Sequence, residues 1–383
     1  MSPLSKIAID YTAAYQQGAG IGRYVRQLIE ALGKLDSTHH YRFFVAGATV
    51  LQLQEQITAF DPDIDWNPTR LSPRWLTRIW YRMRIPLPIE AFVGRVDLFH
   101  ATDFVLPPHL PWTKTLLTVH DLSFVRVPEA TPPLLKAYLD VVVPQSARRA
   151  SHILADSSAT KADLMALYGI SEDKITVLLS GVDERFQHDK SQDAQLRAKY
   201  QIGNRPYIIS VGTVQPRKNY VRLVEALQTI RTRGYDMDLV IAGGHGWLDG
   251  PLYRAIDEKE IADHVHLIGF AHEGDLPGLY SGAVCVAFPS LYEGFGFPVL
   301  EGMACGVPVL TSNVSSLPEV AGDAALTVDP YDTEEISETL HRIITDDVLR
   351  AKMIEAGYQQ ASRFTWEAAA RHLLEVYDQV LSL

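Results

Sequence analysis

Two glutamates, Glu293 and Glu301, bracket a glycine-rich run that reads Phe288-Pro-Ser-Leu-Tyr-Glu-Gly-Phe-Gly-Phe-Pro-Val-Leu-Glu-Gly-Met-Ala-Cys-Gly306. An apolar, strand-like run stops at Phe288, and Pro289, with no N–H for a sheet ladder, marks the exit into a loop. Gly294 and Gly296 let backbone N–H groups approach a bound group closely, and Pro298 suits the first turn of a helix. The unsatisfied N–H groups and positive dipole end of such a helix start favour a diphosphate. Glu301 falls one turn inside the helix, where its carboxylate can accept hydrogen bonds from the vicinal hydroxyls of a ribose. Glu293, in the loop, is in position to face a sugar. Each feature alone has a plainer reading, since glutamates favour helix starts and glycines make turns. Two glutamates around one strand-to-helix junction point to a nucleotide.

A second cluster, Ser210-Val-Gly-Thr-Val-Gln-Pro-Arg-Lys-Asn219, follows another strand-like run. Arg217 and Lys218, adjacent cations at a strand's carboxyl end, can neutralise a departing diphosphate in place of a metal. As residue types alone they read equally well as solvated surface. Gln17-Gly-Ala-Gly-Ile-Gly-Arg-Tyr24 follows the first strand and opens a helix, but it is a poor dinucleotide fingerprint. Its third glycine falls one residue early, and no acidic residue closes a second strand at the usual distance. His120-Asp121 leaves a strand and reads either as a turn or cap or as part of a site. His100, Asp103 and Asp183 also follow strands, and packing or capping accounts for them as well. Asp63-Ile-Asp65 and Asp236-Met-Asp238 have the D-x-D form of a metal site. Among 46 acidic residues such matches arise by chance, and neither stands at a strand's carboxyl end, so no metal ligand is predicted.

The elements that must carry these residues alternate. Apolar, β-branched runs are expected as strands at Lys6–Asp10, Tyr41–Ala46, Leu98–Ala101, Thr115–Val119, His152–Ala155 and Ile175–Leu178. Helical patterns lie between them at Gly22–Gly33, Pro133–Ala150 and Ser158–Leu167. After the polar stretch Gln187–Lys199 the alternation restarts, with strands at Tyr207–Val211, Leu239–Ala242, Val265–Leu267, Ala283–Phe288, Val307–Thr311 and Ala325–Val328. Helices are expected at Tyr220–Thr232 and Pro298–Cys305. This is the pattern of βαβ units and parallel sheets. It predicts two doubly wound α/β domains, 1–186 and 204–365, a linker at 187–203, and a closing helix within 366–383 long enough to return to the first. Ligands of such sheets bind in crevices at the strands' carboxyl ends.

With 383 residues, 47% of them hydrophobic and 21% charged, the chain has the balance of a globular protein of two domains. Its net charge of −11 argues against general nucleic-acid affinity. Cys285 and Cys305 have no metal-ligand spacing and read as small core residues. No run approaches the ~20 apolar residues of a membrane span, and the opening residues lack the form of a secretory signal. A cytoplasmic location is expected. The segment Pro73-Arg-Trp-Leu-Thr-Arg-Ile-Trp-Tyr-Arg-Met-Arg84 breaks the acidic trend. It suits an anionic bilayer surface, or else an amphipathic helix with buried tryptophans and solvated arginines.

Taken together, these motifs resemble the retaining GT-B glycosyltransferases of the large group-4 family, which includes many polysaccharide mannosyl- and glucosyltransferases. The resemblance rests on the Glu-x7-Glu frame, nearly complete across Glu293–Val309 and continued through Leu317–Asp323, and on the Gly-Thr-x-x-Pro-Arg-Lys-Asn frame ending at Asn219. It extends over essentially the whole chain and is strongest in the second half. It implies two Rossmann-like domains facing a central cleft, with His120 and Glu293 as catalytic residues. It further implies donor contacts from Gly20, Arg217, Lys218, Gly296, Phe297, Val299, Leu300 and Glu301. Many relatives carry an arginine where Thr213 stands, and Arg217 is the substitute for that charge. The implied reaction takes a hexose from a UDP- or GDP-linked sugar to a glycan or lipid-linked acceptor, with retention of configuration and no metal or other cofactor. It serves cell-surface polysaccharide synthesis and brings the protein to the inner face of a membrane. The rivals are a nucleotide-sugar epimerase or a phosphorylase on a similar frame, or a non-catalytic nucleotide-sugar-binding subunit.

Overall fold

Strands buried between two helix layers must be apolar on both faces, and the apolar runs of this chain are its strands. The computed structural model describes residues 5–36, 38–53 and 65–383. One sheet holds β1 (Lys6–Asp10), β2 (His40–Ala46), β3 (Asp65–Thr69), β4 (Leu98–Ala101), β5 (Lys114–Val119), β6 (His152–Ala155) and β7 (Ile175–Val177), in the order β3-β2-β1-β4-β5-β6-β7. The other holds β8 (Tyr207–Val211), β9 (Asp238–Ala242), β10 (Val265–Gly269), β11 (Cys285–Phe288), β12 (Val309–Ser312) and β13 (Leu326–Val328), in the order β10-β9-β8-β11-β12-β13. All these strand pairs are parallel. The winding direction reverses between β1 and β4 in one sheet, and between β8 and β11 in the other. Those two points are where each doubly wound sheet opens a crevice at its carboxyl edge.

The chain divides into two compact units. The first comprises residues up to Leu122, Ala137–Gly181 and Thr365–Leu383; the second comprises Ser123–Lys136 and Val182–Phe364. The sequence placed Ser123–Lys136 in the first domain. Its packing assigns it to the second, because Val127 and Ala130 bury against Tyr292 and the Trp247 indole N–H donates to the Ala130 carbonyl at 2.8 Å. The stretch read as a linker, 187–203, contains a helix, Asp193–Tyr200. There Arg197 pairs with Asp193 and donates to the carbonyls of Gly203 and Arg205. The closing helix, Trp366–Ser382, belongs to the first unit. Its Trp366 meets Tyr24 edge to face, and its Tyr377 hydroxyl lies 2.9 Å from His100 Nδ1.

β3 had no sequence signal. Its residues, Asp-Trp-Asn-Pro-Thr, are polar and half-buried, and Pro68 is tolerated because the strand lies at the sheet's edge. Asp63 and Ile64 of the first D-x-D lie outside the described residues. Cys285 and Cys305 are buried free thiols. Among the described residues no helix is long and apolar enough to cross a membrane.

Candidate active site

The carboxyl ends of β8 and β11 flank the switch point of the second unit, and each releases a tight loop. After β8, Gly212 turns the chain with φ +152°, and a Cβ there would lie 3.0 Å from Lys218 Cε. The chain then makes a 3-10 turn over Pro216–Lys218. Asn219 follows with φ 61° and starts the helix Tyr220–Thr232. Asn219 is buried, and its amide donates to the carbonyls of Pro289 at 2.9 Å and Pro330 at 2.7 Å. The loop after β8 is thereby fastened to the exit of β11. A backbone bond from Leu291 N to Arg217 O, 2.8 Å, adds to that link.

This fastening brings Arg217, Lys218 and Glu293 into one ionic cluster. Arg217 Nη1 donates to Glu293 Oε2 at 2.5 Å and to the Tyr292 carbonyl at 2.7 Å. Lys218 Nζ donates to Glu293 Oε1 at 2.7 Å and sits 4.7 Å from the centre of the Phe288 ring. Burial alone would raise the Glu293 carboxyl; the two cations outweigh it and hold the group below its usual range. One anion between two cations leaves a net positive charge at the strand ends, an attraction for an incoming anion.

Glu293 is also held through its backbone. Its N–H donates to Ser315 Oγ at 3.0 Å, and its carbonyl accepts from Ser316 Oγ at 3.0 Å. The same Ser316 hydroxyl donates to the Phe295 carbonyl at 2.6 Å. The loop closes at Gly296, whose φ of +126° excludes a side chain in practice; a Cβ would lie 2.9 Å from Leu317 Cδ2. The helix Phe297–Ala304 begins there, with Pro298 in its first turn. Gly302 lets this helix sit directly on the sheet, because a Cβ there would come 2.6 Å from Val286 Cγ2. The helix N-terminus is thus fixed beside the ionic cluster. Glu301, one turn further, is buried and accepts from the Tyr280 hydroxyl at 2.8 Å. Val299 and Leu300, expected as donor contacts, are fully buried. Their side chains fill the core, which leaves only backbone to meet a ligand, and the Val299 N–H is already given to Gly296 O.

The switch point of the first unit gathers the remaining expected residues. The helix Gly20–Leu35 starts at Gly20 after an extended Ala19, with Gly20 exposed. The glycine demanded by packing is Gly22, where a Cβ would lie 2.0 Å from Gln17 O. His120 leaves β5 buried between Tyr24 and Phe104, both edge to face. Its Nδ1 lies 2.7 Å from Asp156 Oδ2 and its Nε2 2.9 Å from the Thr102 carbonyl. Both partners are acceptors, so the ring is an imidazolium donating from each nitrogen. Burial opposes that charge, yet Asp156 with Asp103 and the carbonyl outweigh it and raise the pKa to about 9. A ring so engaged has no lone pair for a base. His100 is the opposite case. Burial pushes it down to about 3, and the neutral ring lies between Tyr377 and Thr118. Asp103 accepts from the Gln17 amide at 3.3 Å; Asp183 is not part of this unit but belongs to the second, where it pairs with Arg185.

The second D-x-D is spent inside the second unit. Asp236 pairs with Arg205 and Arg231, and buried Asp238 pairs with His264 and His266.

Residues 192–360 match the family model described as glycosyl transferases group 1, and residues 18–186 match that of glycosyltransferase family 4. O-antigen chain mannosyltransferase B of Escherichia coli is 30% identical over 374 residues, covering 94% of this chain and 95% of that protein. The chain is a glycosyltransferase of this family. Its fold is GT-B. Sucrose-phosphate synthase from Thermosynechococcus elongatus superposes with a TM-score of 0.76 at 20% identity, over 99% of each chain. Anabaena HepE in complex with UDP and glucose superposes with a TM-score of 0.75 at 17% identity, over 98% of this chain and 100% of that one.

Several residues that organise the candidate site were not singled out as site residues in the sequence. Asn219, Tyr280, Ser315, Ser316 and Asp156 each act across a long chain separation, and none belongs to a periodic pattern. Asn219 alone had a cue, as the last residue of the Gly-Thr-x-x-Pro-Arg-Lys-Asn frame.

Proposed function

We propose that this enzyme transfers mannose from GDP-mannose to a glycan or lipid-linked acceptor during cell-surface polysaccharide synthesis, with retention of configuration and without a metal ion. The observation that carries the reading is the Arg217–Lys218–Glu293 cluster set against the start of the helix Phe297–Ala304. A nucleoside diphosphate placed there meets two cations, a helix dipole and the N–H groups of Gly296 and Phe297. Glu301 takes the ribose hydroxyls. Glu293 shifts one or both of its oxygens from the cations to hydroxyls of the sugar as the diphosphate claims Arg217 and Lys218. The choice of mannose is supported by the mannosyltransferase named among the relatives; the Pro-Arg-Lys-Asn frame resembles GDP-mannose and UDP-glucose users alike, and GDP is proposed as the carrier that goes with mannose.

In the first unit, Gly20 and His120 are proposed to serve the diphosphate and the transferred sugar. His120, charged at neutral pH and engaged at both nitrogens, acts as a fixed positive group and not as a base. The family resemblance implies a front-side displacement, in which the leaving diphosphate oxygen helps to deprotonate the acceptor, and His120 need not act as a base in it. The reaction needs a cytoplasmic sugar nucleotide, which puts the enzyme on the inner face of the membrane when its acceptor is lipid-linked.

The test is turnover with radiolabelled GDP-mannose, UDP-glucose and UDP-galactose, with and without a lipid-extracted acceptor fraction, in EDTA. Label from GDP-mannose should enter the acceptor, with an α-linkage in the product by NMR. Conversion of a sugar nucleotide without any acceptor would favour an epimerase. No conversion of any of them would end the proposal.

A further inference from the structure

The basic, aromatic segment read in the sequence forms a surface of defined shape in the first unit. The helix Pro73–Thr77 continues into a π-helical turn, Arg78–Arg82. Ser72 caps its start by accepting from Trp75 N. Arg84, with φ 53°, ends it, and Ile85 N then reaches back to Ile79 O, six residues earlier. The inner face is anchored. Leu76 is buried, the Trp80 indole N–H donates to Leu87 O at 2.9 Å, and the Tyr81 hydroxyl donates to Leu106 O at 2.8 Å.

The outer face carries Arg74, Arg78 and Arg82, spaced four residues apart and all exposed. Among the described residues no carboxylate pairs with any of the three. Beside them are apolar side chains that a solvated face has no use for: Trp75 is 53% exposed, Met83 60% and Ile85 42%. Arg78 lies over the Trp75 ring at 4.9 Å. The sequence left open whether the tryptophans of this segment were core. One is anchored and one is not.

We infer that this face is a membrane-binding surface for anionic phospholipid, with Arg74, Arg78 and Arg82 at the headgroups and Trp75, Met83 and Ile85 entering the interface. A cluster of arginines on a chain of net charge −11 selects a negatively charged partner by complementarity. The exposed aliphatic and thioether groups distinguish that partner from a nucleic acid, whose phosphates and bases offer them no apolar phase. A bilayer accepts both kinds of side chain at one depth. The surface gives the glycosyltransferase a position at the membrane without a spanning helix, and its binding needs neither sugar nucleotide nor acceptor. Failure here and failure of the transferase reading are therefore separate results.

The test is co-sedimentation of the full chain with phosphatidylcholine vesicles, with and without phosphatidylglycerol. Binding should require phosphatidylglycerol and weaken with salt. Arg78→Ala with Arg82→Ala should weaken partition on the order of 30-fold, from the usual contribution of each arginine near an anionic surface. Trp75→Ser with Met83→Ser should weaken it by roughly tenfold, with the salt dependence retained. All four substitutions are at exposed positions, and an unchanged thermal midpoint establishes folding. Arg254→Ala with Lys352→Ala, on the second unit, changes net charge equally and should leave binding intact. Absence of binding, equal binding to both vesicles, an equal loss in the control variant, or displacement of vesicles by single-stranded RNA would each overturn the inference.

Discussion

Replacing Glu293 by glutamine removes the single negative charge between two largely buried cations. The carboxylate oxygens lie 2.5 Å from Arg217 Nη1 and 2.7 Å from Lys218 Nζ, and the three side chains are between 8% and 15% exposed. Removing one member of so buried a pair destabilises by about 3–5 kcal/mol. Glutamine keeps the volume and one accepting oxygen, so the lower figure, about 3 kcal/mol, is expected. At roughly 2–4 °C for each kcal/mol, the melting midpoint of the second unit should fall by about 6–12 °C. Nucleotide binding should respond in the opposite sense. A carboxylate about 6 Å from a phosphate charge repels it by about 3 kcal/mol at an effective dielectric constant of about 20. Its removal should strengthen GDP binding by at least about tenfold, and saturating GDP should recover most of the lost midpoint. Transfer should fall by roughly 10²–10³-fold, since the sugar loses its partner while the diphosphate keeps its own. Acid titration provides a check on sign. The folded-state pKa is lowered from 4.5, so the stabilisation is complete above about pH 4.5 and is lost as the pH falls through the lowered value. The variant should lack that acid limb. Calorimetric melts with and without GDP, beside a transfer assay, read all of this. An unaltered midpoint with full transfer would refute the reasoning.

Other perturbations reach different parts of the structure. Gly296→Ala forces a side chain into φ +126° and against Leu317; it should lower stability by about 1–3 kcal/mol in urea unfolding and weaken GDP binding in the same variant. The His120–Asp156 pair should make the first unit's stability fall with rising pH. Its contribution, about 3 kcal/mol for a pKa raised from 6.5 to about 9, is fully present below about pH 6.5 and is lost on the way to pH 9. Urea midpoints across that range should flatten in His120→Asn. Tyr280→Phe removes the hydroxyl donated to Glu301 and should raise KM for the sugar nucleotide several-fold with little change in kcat, read by steady-state kinetics.

The parts of this protein visible in its sequence are those fixed by local pattern. β8, β11 and the other buried parallel strands are apolar along their length, so their carboxyl ends, and the loops that bear Arg217, Lys218 and Glu293, could be located directly. Glu301 followed from the helix start that Pro298 signals. β3 was hidden, because an edge strand of Asp-Trp-Asn-Pro-Thr has neither alternation nor an apolar run. The assignment of Ser123–Lys136 to the second unit was hidden for a different reason. It rests on Val127 and Ala130 meeting Tyr292, a contact that no local period encodes. The sequence also gave Glu293 and the two cations separate tasks, one for the sugar and the others for the diphosphate. The fold joins them, because Asn219 draws the β8 loop onto Pro289. In the structure the carboxylate and the cations satisfy one another. His120 likewise read as a side chain at a strand end, and only Asp156, at the exit of the next strand, shows that its ring is held as a cation.

The most direct measurement is a calorimetric titration of GDP in EDTA into the wild-type protein, Lys218→Met and Glu301→Gln. The wild type should show one site that is insensitive to EDTA, with a loss of roughly 10–100-fold in Lys218→Met from the missing charge-assisted bond and a smaller loss in Glu301→Gln. The Glu301→Gln deficit should disappear when inorganic pyrophosphate replaces GDP, because only the ribose contact is removed. Wild-type binding of GDP that neither substitution weakens would place the nucleotide elsewhere and rule out the β8 and β11 loops as its site.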